Sequence, residues 1–296
     1  MSHDDTRTPQ SMVLADARNL SWYEHGDRSG SPCVFLPASA SSGLAGASLH
    51  AAATASGIRL ISVDRPGLGR SDLAPRRRLV DWASDVEELA DHLALDRFGL
   101  LGHSAGGAYA LAVAYRLSGR VACTVVGAGS PPYSESWTRA KGVVSRMTRA
   151  YNGLAIHTPR LFGDVYLLSA PRSAKAVDRL TALAARGSSL DASFAREHPS
   201  ETRAAIEALG DGCRQGPSGP TEDIASLCRP WGFELREVES PVEWWHGEQD
   251  TNVSLRAGWE MVSRLRLVTP HFVEGGHYVL FARATQAMIP LHETGQ

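Results

Sequence analysis

The chain has 296 residues, 43% of them hydrophobic, which fits one large core carrying an insertion. A formal net charge of -2, with Arg76-Arg77-Arg78 as the one basic cluster and best read as a solvated loop, gives no electrostatic reason to expect nucleic acid or a membrane as partner. No apolar run reaches the ~18 residues that span a bilayer, and the polar start Met1-Ser2-His3-Asp4-Asp5 is unlike a secretory signal, so a cytoplasmic location is expected.

In chain order, residues 1–11 read as a disordered N-terminal tail, and 12–14 with 19–24 as a leading antiparallel pair. Short apolar runs at 33–36, 59–64, 99–102 and 121–126 read as strands. Helical patterns at 44–56, 82–95 and 105–117 alternate with them, which argues for βαβ units and a parallel sheet in an α/β fold. The breaker cluster Gly127-Ala128-Gly129-Ser130-Pro131-Pro132 ends this alternation. Helices are then expected at 137–151, 159–168, 173–186, 199–209 and 221–227, with a glycine-rich connection at 210–219. Pro241-Val242-Glu243-Trp244-Trp245 and Pro270-His271-Phe272-Val273 restore the strand pattern, and the residues after Glu293 read as a frayed end.

Chemistry enters at Phe98-Gly99-Leu100-Leu101-Gly102-His103-Ser104-Ala105-Gly106-Gly107. A buried strand stops on a serine bracketed by glycines and a helix follows at once, which is how a strand-to-helix turn presents a nucleophile. Gly102 and Gly106 are expected to be glycines because a Cβ at either position would collide with the adjoining strand or helix. Serine is a weak nucleophile and needs a base, and the base needs an orienting group. His277, after Glu274-Gly275-Gly276, is the candidate base, with the two glycines read as a flexible entry. Glu248 and Asp250, in the loop after the Trp244-Trp245 strand, compete as its partner. His103 reads as a packing or hydrogen-bonding residue, and Tyr133, Trp137 and Tyr278 as candidate pocket residues.

Other chemistries find less support. Gly67-Leu68-Gly69 lacks the third glycine of a dinucleotide fingerprint, because position 72 is Asp. There is no H-E-x-x-H, and the four cysteines form no metal or redox motif. Cys33 and Cys123 fall in apolar strands, and a bridge between Cys213 and Cys228 is improbable in a reducing compartment. No cofactor and no metal are expected.

The serine elbow, the order Ser104, Asp250, His277 and the stretch Val63-Asp64-Arg65-Pro66-Gly67-Leu68-Gly69-Arg70-Ser71-Asp72 together resemble the α/β-hydrolase superfamily, in its capped branch with a serine nucleophile. The resemblance runs from about residue 12 to 290. It implies a mostly parallel eight-stranded sheet flanked by helices, with a core at 12–130 and 236–296 and a helical cap at 131–235 that closes the pocket. It selects Asp250 over Glu248 as the acid. It also implies an oxyanion hole built from the Ala105 N–H and from the loop after the third strand, where Pro37-Ala38-Ser39 stands in place of the usual His-Gly-x and Ser39 becomes the donor.

The activity so implied is hydrolysis of a carboxylic ester, lactone or thioester of a small to medium apolar molecule. Carbon–carbon or amide cleavage, a biosynthetic acyltransferase or cyclase, and a non-catalytic ligand-binding relative are the alternatives on the same scaffold. The expected partner is the small-molecule substrate, with the chain a monomer or homodimer.

Overall fold

The computed structural model describes residues 7–293. Among these the strands are β1 (Gln10–Val13), β2 (Asn19–Gly26), β3 (Ser31–Leu36), β4 (Ile58–Val63), β5 (Phe98–His103), β6 (Val121–Gly127), β7 (Val242–Gly247) and β8 (Val268–Val273). They form one eight-stranded sheet in the order β1-β2-β4-β3-β5-β6-β7-β8. The β1–β2 and β2–β4 pairs are antiparallel and the others parallel. The fold is α/β, with the alternation that the sequence predicts.

The central strands read as continuous apolar runs because both sheet faces are covered. Val34, Phe35, Leu36, Leu100, Leu101, Val125 and Val126 are fully buried. Helices α1 (His50–Ala55), α2 (Trp82–His92), α3 (Ala105–Arg116), α10 (Leu255–Val262), α11 (Val279–Ala282) and α12 (Ala284–Glu293) flank the sheet. Residues 105–114 of α3 are all buried, which is why this stretch is built from Ala, Gly, Leu and Val with a single Tyr, Tyr109. From β3 the chain proceeds outward to β4 on one side, and from β5 outward to β6 on the other. The sheet order therefore reverses between β3 and β5, and a crevice is expected beyond their carboxyl ends.

Between β6 and β7 lie α4 (Arg146–His157), α5 (Pro159–Ser169), α6 (Ala174–Ala184), α7 (Leu190–Glu197), α8 (Pro199–Gly212) and α9 (Ser218–Cys228). Among the described residues no helix is long and apolar enough to cross a membrane. All four cysteines are free thiols.

Several expected boundaries are corrected. The 1–11 tail is ordered at its inner end, where Gln10 and Ser11 pair with Trp22 and Ser21, and Arg7 lies 2.6 Å from Glu207; residues 1–6 fall outside the described ones. The expected helix 44–56 divides into a 3-10 turn, Gly43–Leu49, and α1. The tight turn lets Gly43 and Gly46 press on β4 and β2, where an added Cβ would sit 2.4 Å from the Ser62 carbonyl and 2.4 Å from the His25 ring. The expected helix 137–151 is broken at Gly142, whose φ of 84° no helix accommodates. What remains is a 3-10 turn at Ser136–Arg139 and then α4, capped by the Ser145 hydroxyl accepting from Thr148 N–H. Helix α7 falls in a stretch that the sequence pattern leaves unassigned; its start is set by Ser189, whose hydroxyl accepts the Ala192 N–H.

The glycines around Ser104 behave as anticipated. A Cβ on Gly102 would lie 2.5 Å from the Gly106 carbonyl, and one on Gly106 would lie 1.8 Å from the Leu36 carbonyl. The start of α3 is thus pressed against the end of β3, backbone to backbone, with no flexible side chain to yield. Gly106→Ala is expected to lower stability by about 3 kcal/mol, the upper end of ordinary overpacking costs. Urea unfolding measures this, and a loss below about 0.5 kcal/mol would contradict the packing argument.

Candidate active site

Ser104 follows β5 with φ 55° and ψ -119°, and α3 begins at the next residue. A non-glycine residue in such a conformation costs of order 1–3 kcal/mol and persists only where its surroundings impose it. Here the Ser104 N–H donates to the Gly127 carbonyl at 2.9 Å, while the Ser104 carbonyl accepts from Gly107 and Ser130 N–H, each at 3.0 Å. The Ala105 N–H belongs to the first turn of α3, where helix geometry supplies no intrahelical acceptor.

Asp250 lies in the loop after β7 and His277 in the loop after β8. A Cβ on Gly247, the last residue of β7, would be 2.3 Å from both the Gly275 and Gly276 carbonyls, so the two loops touch at the sheet edge. His277 Nδ1 stands 2.8 Å from Asp250 Oδ2. Asp250 Oδ1 accepts from the N–H groups of Asn252 (2.7 Å) and Val253 (3.0 Å), so both carboxylate oxygens are engaged. Glu248, the competing acid, is exposed, whereas Asp250 is buried. Burial by itself raises the Asp250 pKa, but the hydrogen bond from His277, the His277 charge and the Val253 N–H outweigh it and hold the carboxyl below its ordinary value. Gly276 leaves room for a neighbouring carboxylate: a Cβ there would meet an Asp191 carboxylate oxygen at 2.2 Å. That same oxygen of Asp191, on α7, accepts the Tyr278 N–H at 3.0 Å. One helix between β6 and β7 therefore braces the histidine loop.

His103 is buried, with Nε2 at 3.1 Å from the His277 carbonyl, and Nε2–H is the donor. Burial, reinforced by the neighbouring His277, pushes its pKa down to about 3. It is a neutral packing and hydrogen-bonding residue, as its sequence context predicts.

Beyond β3, the loop 37–40 is held by Arg65 from the Asp-Arg-Pro-Gly segment. Arg65 Nη1 and Nη2 donate to the carbonyls of Pro37 (2.7 Å) and Ala38 (2.8 Å), while its Nε and Nη2 reach Asp223 of α9 at 2.7 and 3.0 Å. Asp223 Oδ2 also accepts the Ala40 N–H at 2.8 Å. Both charged groups are almost completely buried, and the guanidinium lies 4.7 Å over the Tyr109 ring. Neighbouring Asp64 accepts from the Gly43 and Arg70 N–H groups at 2.6 and 2.9 Å.

Ser39, Ser104, His277, Tyr133 and Tyr278 all line one cavity of about 480 Å³. Trp137 does not line it. Its ring packs against the main core under the Arg264 guanidinium, 4.4 Å away, and faces a separate cleft. The reason is the break at Gly142, which leaves Trp137 in a short 3-10 turn rather than on the helix that covers the cavity.

An alpha/beta hydrolase family profile matches residues 25–290. The chain belongs to the alpha/beta hydrolase family. No curated protein matches it in sequence. Among solved structures, an alpha/beta hydrolase fold protein from Nakamurella multipartita superposes with a TM-score of 0.68 at 20% identity, covering 98% of this chain and 100% of that one. An esterase from Rhodococcus sp. ECU1013 gives 0.67 at 21% identity, covering 96% and 99%. An esterase from Exiguobacterium antarcticum gives 0.67 at 17% identity, covering 97% and 99%. At these identities the likeness is one of fold.

In this alpha/beta hydrolase several cavity residues carried no signal that sequence reasoning could use. Met147 and Tyr151 come from α4, Tyr166 from α5 and Ile224 from α9. Their helical spacing marks an apolar face but not which face covers the cavity. Arg65 and Asp223 are 158 positions apart and nothing local links them. Arg77 and Arg78, from the basic cluster, are engaged by Asp85 and Asp81 at 2.6 and 2.8 Å.

Buried neutral histidines are expected to make the fold lose stability as pH falls. Burial, reinforced by His50, pushes the His25 pKa from 6.5 down to about 4. The unfolded chain binds this proton near pH 6.5 and the native state does not, so the contribution is present above that pH and declines as pH falls toward 4. Asp64, raised by burial to about 6, acts in the opposite sense between pH 6 and 3.8. His25→Asn is therefore expected to flatten the acid limb by about one proton, ~1.4 kcal/mol per pH unit. Urea unfolding of both proteins from pH 7 to about 5 reads the slopes, and coincident slopes would mean that His25 is protonated in the native state.

Proposed function

We propose that this protein is a serine hydrolase that cleaves an ester, lactone or thioester of a small to medium apolar substrate by way of an acyl-enzyme. The observation that carries the reading is the 2.8 Å contact between His277 Nδ1 and a fully engaged Asp250, with His277 and the strained Ser104 on the wall of one cavity. A volume of about 480 Å³ and walls that include Phe35, Met147, Tyr151, Leu227 and Phe281 suit an apolar molecule of moderate size. The esterases among the structural relatives are consistent with it.

In this mechanism Asp250 accepts the Nδ1–H and keeps Nε2 free as the base. Nε2 takes the Ser104 proton as Oγ adds to the substrate carbonyl, and the resulting oxyanion meets the Ala105 N–H and the Ser39 group. The imidazolium returns the proton to the leaving alcohol or thiol as its bond to the carbonyl carbon breaks. Water, deprotonated by the same histidine, then adds to the acyl-enzyme, and Ser104 leaves reprotonated. Residues 131–235 act as a cap that limits water and shapes the acyl pocket.

The test is the intact mass of the protein after exposure to a fluorophosphonate, with Ser104→Ala and Ser39→Ala alongside. One adduct, absent only in Ser104→Ala and formed more slowly in Ser39→Ala, is the expected result. A folded protein that takes up no adduct would refute an activated serine.

A further inference from the structure

The overall charge of -2 conceals a local concentration of opposite sign. Residues 139–172 carry Arg139, Lys141, Arg146, Arg149, Arg160 and Arg172 against one carboxylate, Asp164. The remainder of the chain is correspondingly acidic. This basic segment contains α4 and α5, and it also carries the densest run of exposed large apolar side chains in the described residues.

On α5, Leu161, Val165 and Leu168 are 57%, 58% and 84% exposed. Their i, i+4, i+7 spacing places them in one stripe, opposite the face on which Phe162 and Gly163 are buried. On α4, Met147 and Leu154, seven positions apart, are 82% and 46% exposed, while Tyr151 between them turns its ring onto Phe162, 4.8 Å away. Apolar groups of this size are ordinarily covered, and a run of them beside cations has the composition of a helix pair that lies in a lipid interface. Arginines there reach phosphate while Leu, Val and Met enter the acyl boundary.

We propose that the α4–α5 face docks this protein on an anionic lipid surface. Charge decides among possible occupants. A second copy joined about a two-fold axis would bring Arg146, Arg149 and Arg160 of the two helices against the same three cations, whereas an anionic bilayer complements them and repels the acidic remainder of the chain, which sets the orientation. The location gives the contact a use: Met147 and Tyr151 of α4 also line the cavity of Ser104 and His277, so docking sets one wall of that cavity beside the lipid, where apolar substrates accumulate. Docking itself does not depend on the hydrolase reading.

The experiment is co-sedimentation of the full chain with vesicles of phosphatidylcholine alone and of phosphatidylcholine with about a third phosphatidylglycerol, at low and high salt. Binding at least roughly tenfold tighter to the anionic vesicles, weakened by salt, is expected. Leu161→Asp with Leu168→Asp, and separately Arg146→Glu with Arg160→Glu, are each expected to reduce it roughly tenfold or more. These four side chains do not line the cavity, and circular dichroism verifies that the variants are folded. Absence of binding to anionic vesicles, or unchanged binding by the folded variants, would overturn the proposal. So would a dimer in light scattering that the same substitutions dissociate, because the face would then belong to a second copy, and so would capture of an acidic protein without any vesicle binding.

Discussion

Asp250→Asn is expected to lower kcat by about 10⁴-fold while leaving the fold in place, because it inverts the tautomer of His277. Two backbone N–H groups, from Asn252 and Val253, point at Oδ1. An asparagine must present its carbonyl oxygen to them, and its NH₂ then occupies the Oδ2 position, 2.8 Å from Nδ1. That amide can only donate, so the imidazole proton moves to Nε2 and the nitrogen facing the cavity can no longer accept from Ser104. Turnover of a p-nitrophenyl ester and the rate of fluorophosphonate labelling both report the change. Glu248→Gln is the control and is expected to leave both rates within about twofold, since an exposed carboxylate contributes little at this range. A loss below tenfold in Asp250→Asn would remove Asp250 from the mechanism.

Asp223→Ala is expected to cost about 3–5 kcal/mol, the consequence of leaving the Arg65 guanidinium buried without its carboxylate. The pair also has a local task, because Arg65 binds the Pro37 and Ala38 carbonyls and Asp223 binds the Ala40 N–H, on either side of Ser39. The double replacement Arg65→Met with Asp223→Leu separates the two roles. An apolar pair of similar volume is expected to recover most of the stability lost in the single variant. It cannot restore the bonds to loop 37–40, so fluorophosphonate labelling stays slow. Urea unfolding gives the first quantity and labelling rates the second. A single variant within about 1 kcal/mol of the parent, or a double variant that labels at the parental rate, would show that the pair does not hold the loop.

Much of the candidate site is legible in the chain because its determinants are local. The elbow at Ser104 is written by Gly102 and Gly106, both of which stand where a Cβ would enter backbone, and the strand and helix on either side have unmistakable apolar patterns. Asp250 and His277 each follow a short strand, so their chain order places them at the same sheet edge. The helical insertion is legible as a change of period after Val126, but its internal divisions are not. Gly142 and the Ser145 cap break one expected helix into two pieces and carry Trp137 away from the cavity. The net charge is similarly uninformative about placement, since a value near zero averages a basic segment at 139–172 with an acidic remainder.

The sequence by itself determined the class of fold, the βαβ order of its core and the placing of Ser104, of the Glu248–Asp250 loop and of His277 after β5, β7 and β8; the choice of Asp250 within that loop rested on the family resemblance. The rest follows from strand and helix periodicity and from turn chemistry, which act over a few residues. The tertiary structure alone decided that Arg65 would meet Asp223, that Asp191 of α7 would hold the Tyr278 N–H beside His277, and that α4 would line the cavity while α5 turned its apolar stripe outward. Such contacts join positions tens to more than a hundred residues apart. Their energies depend on burial and on what else is buried with them, and no local pattern encodes that.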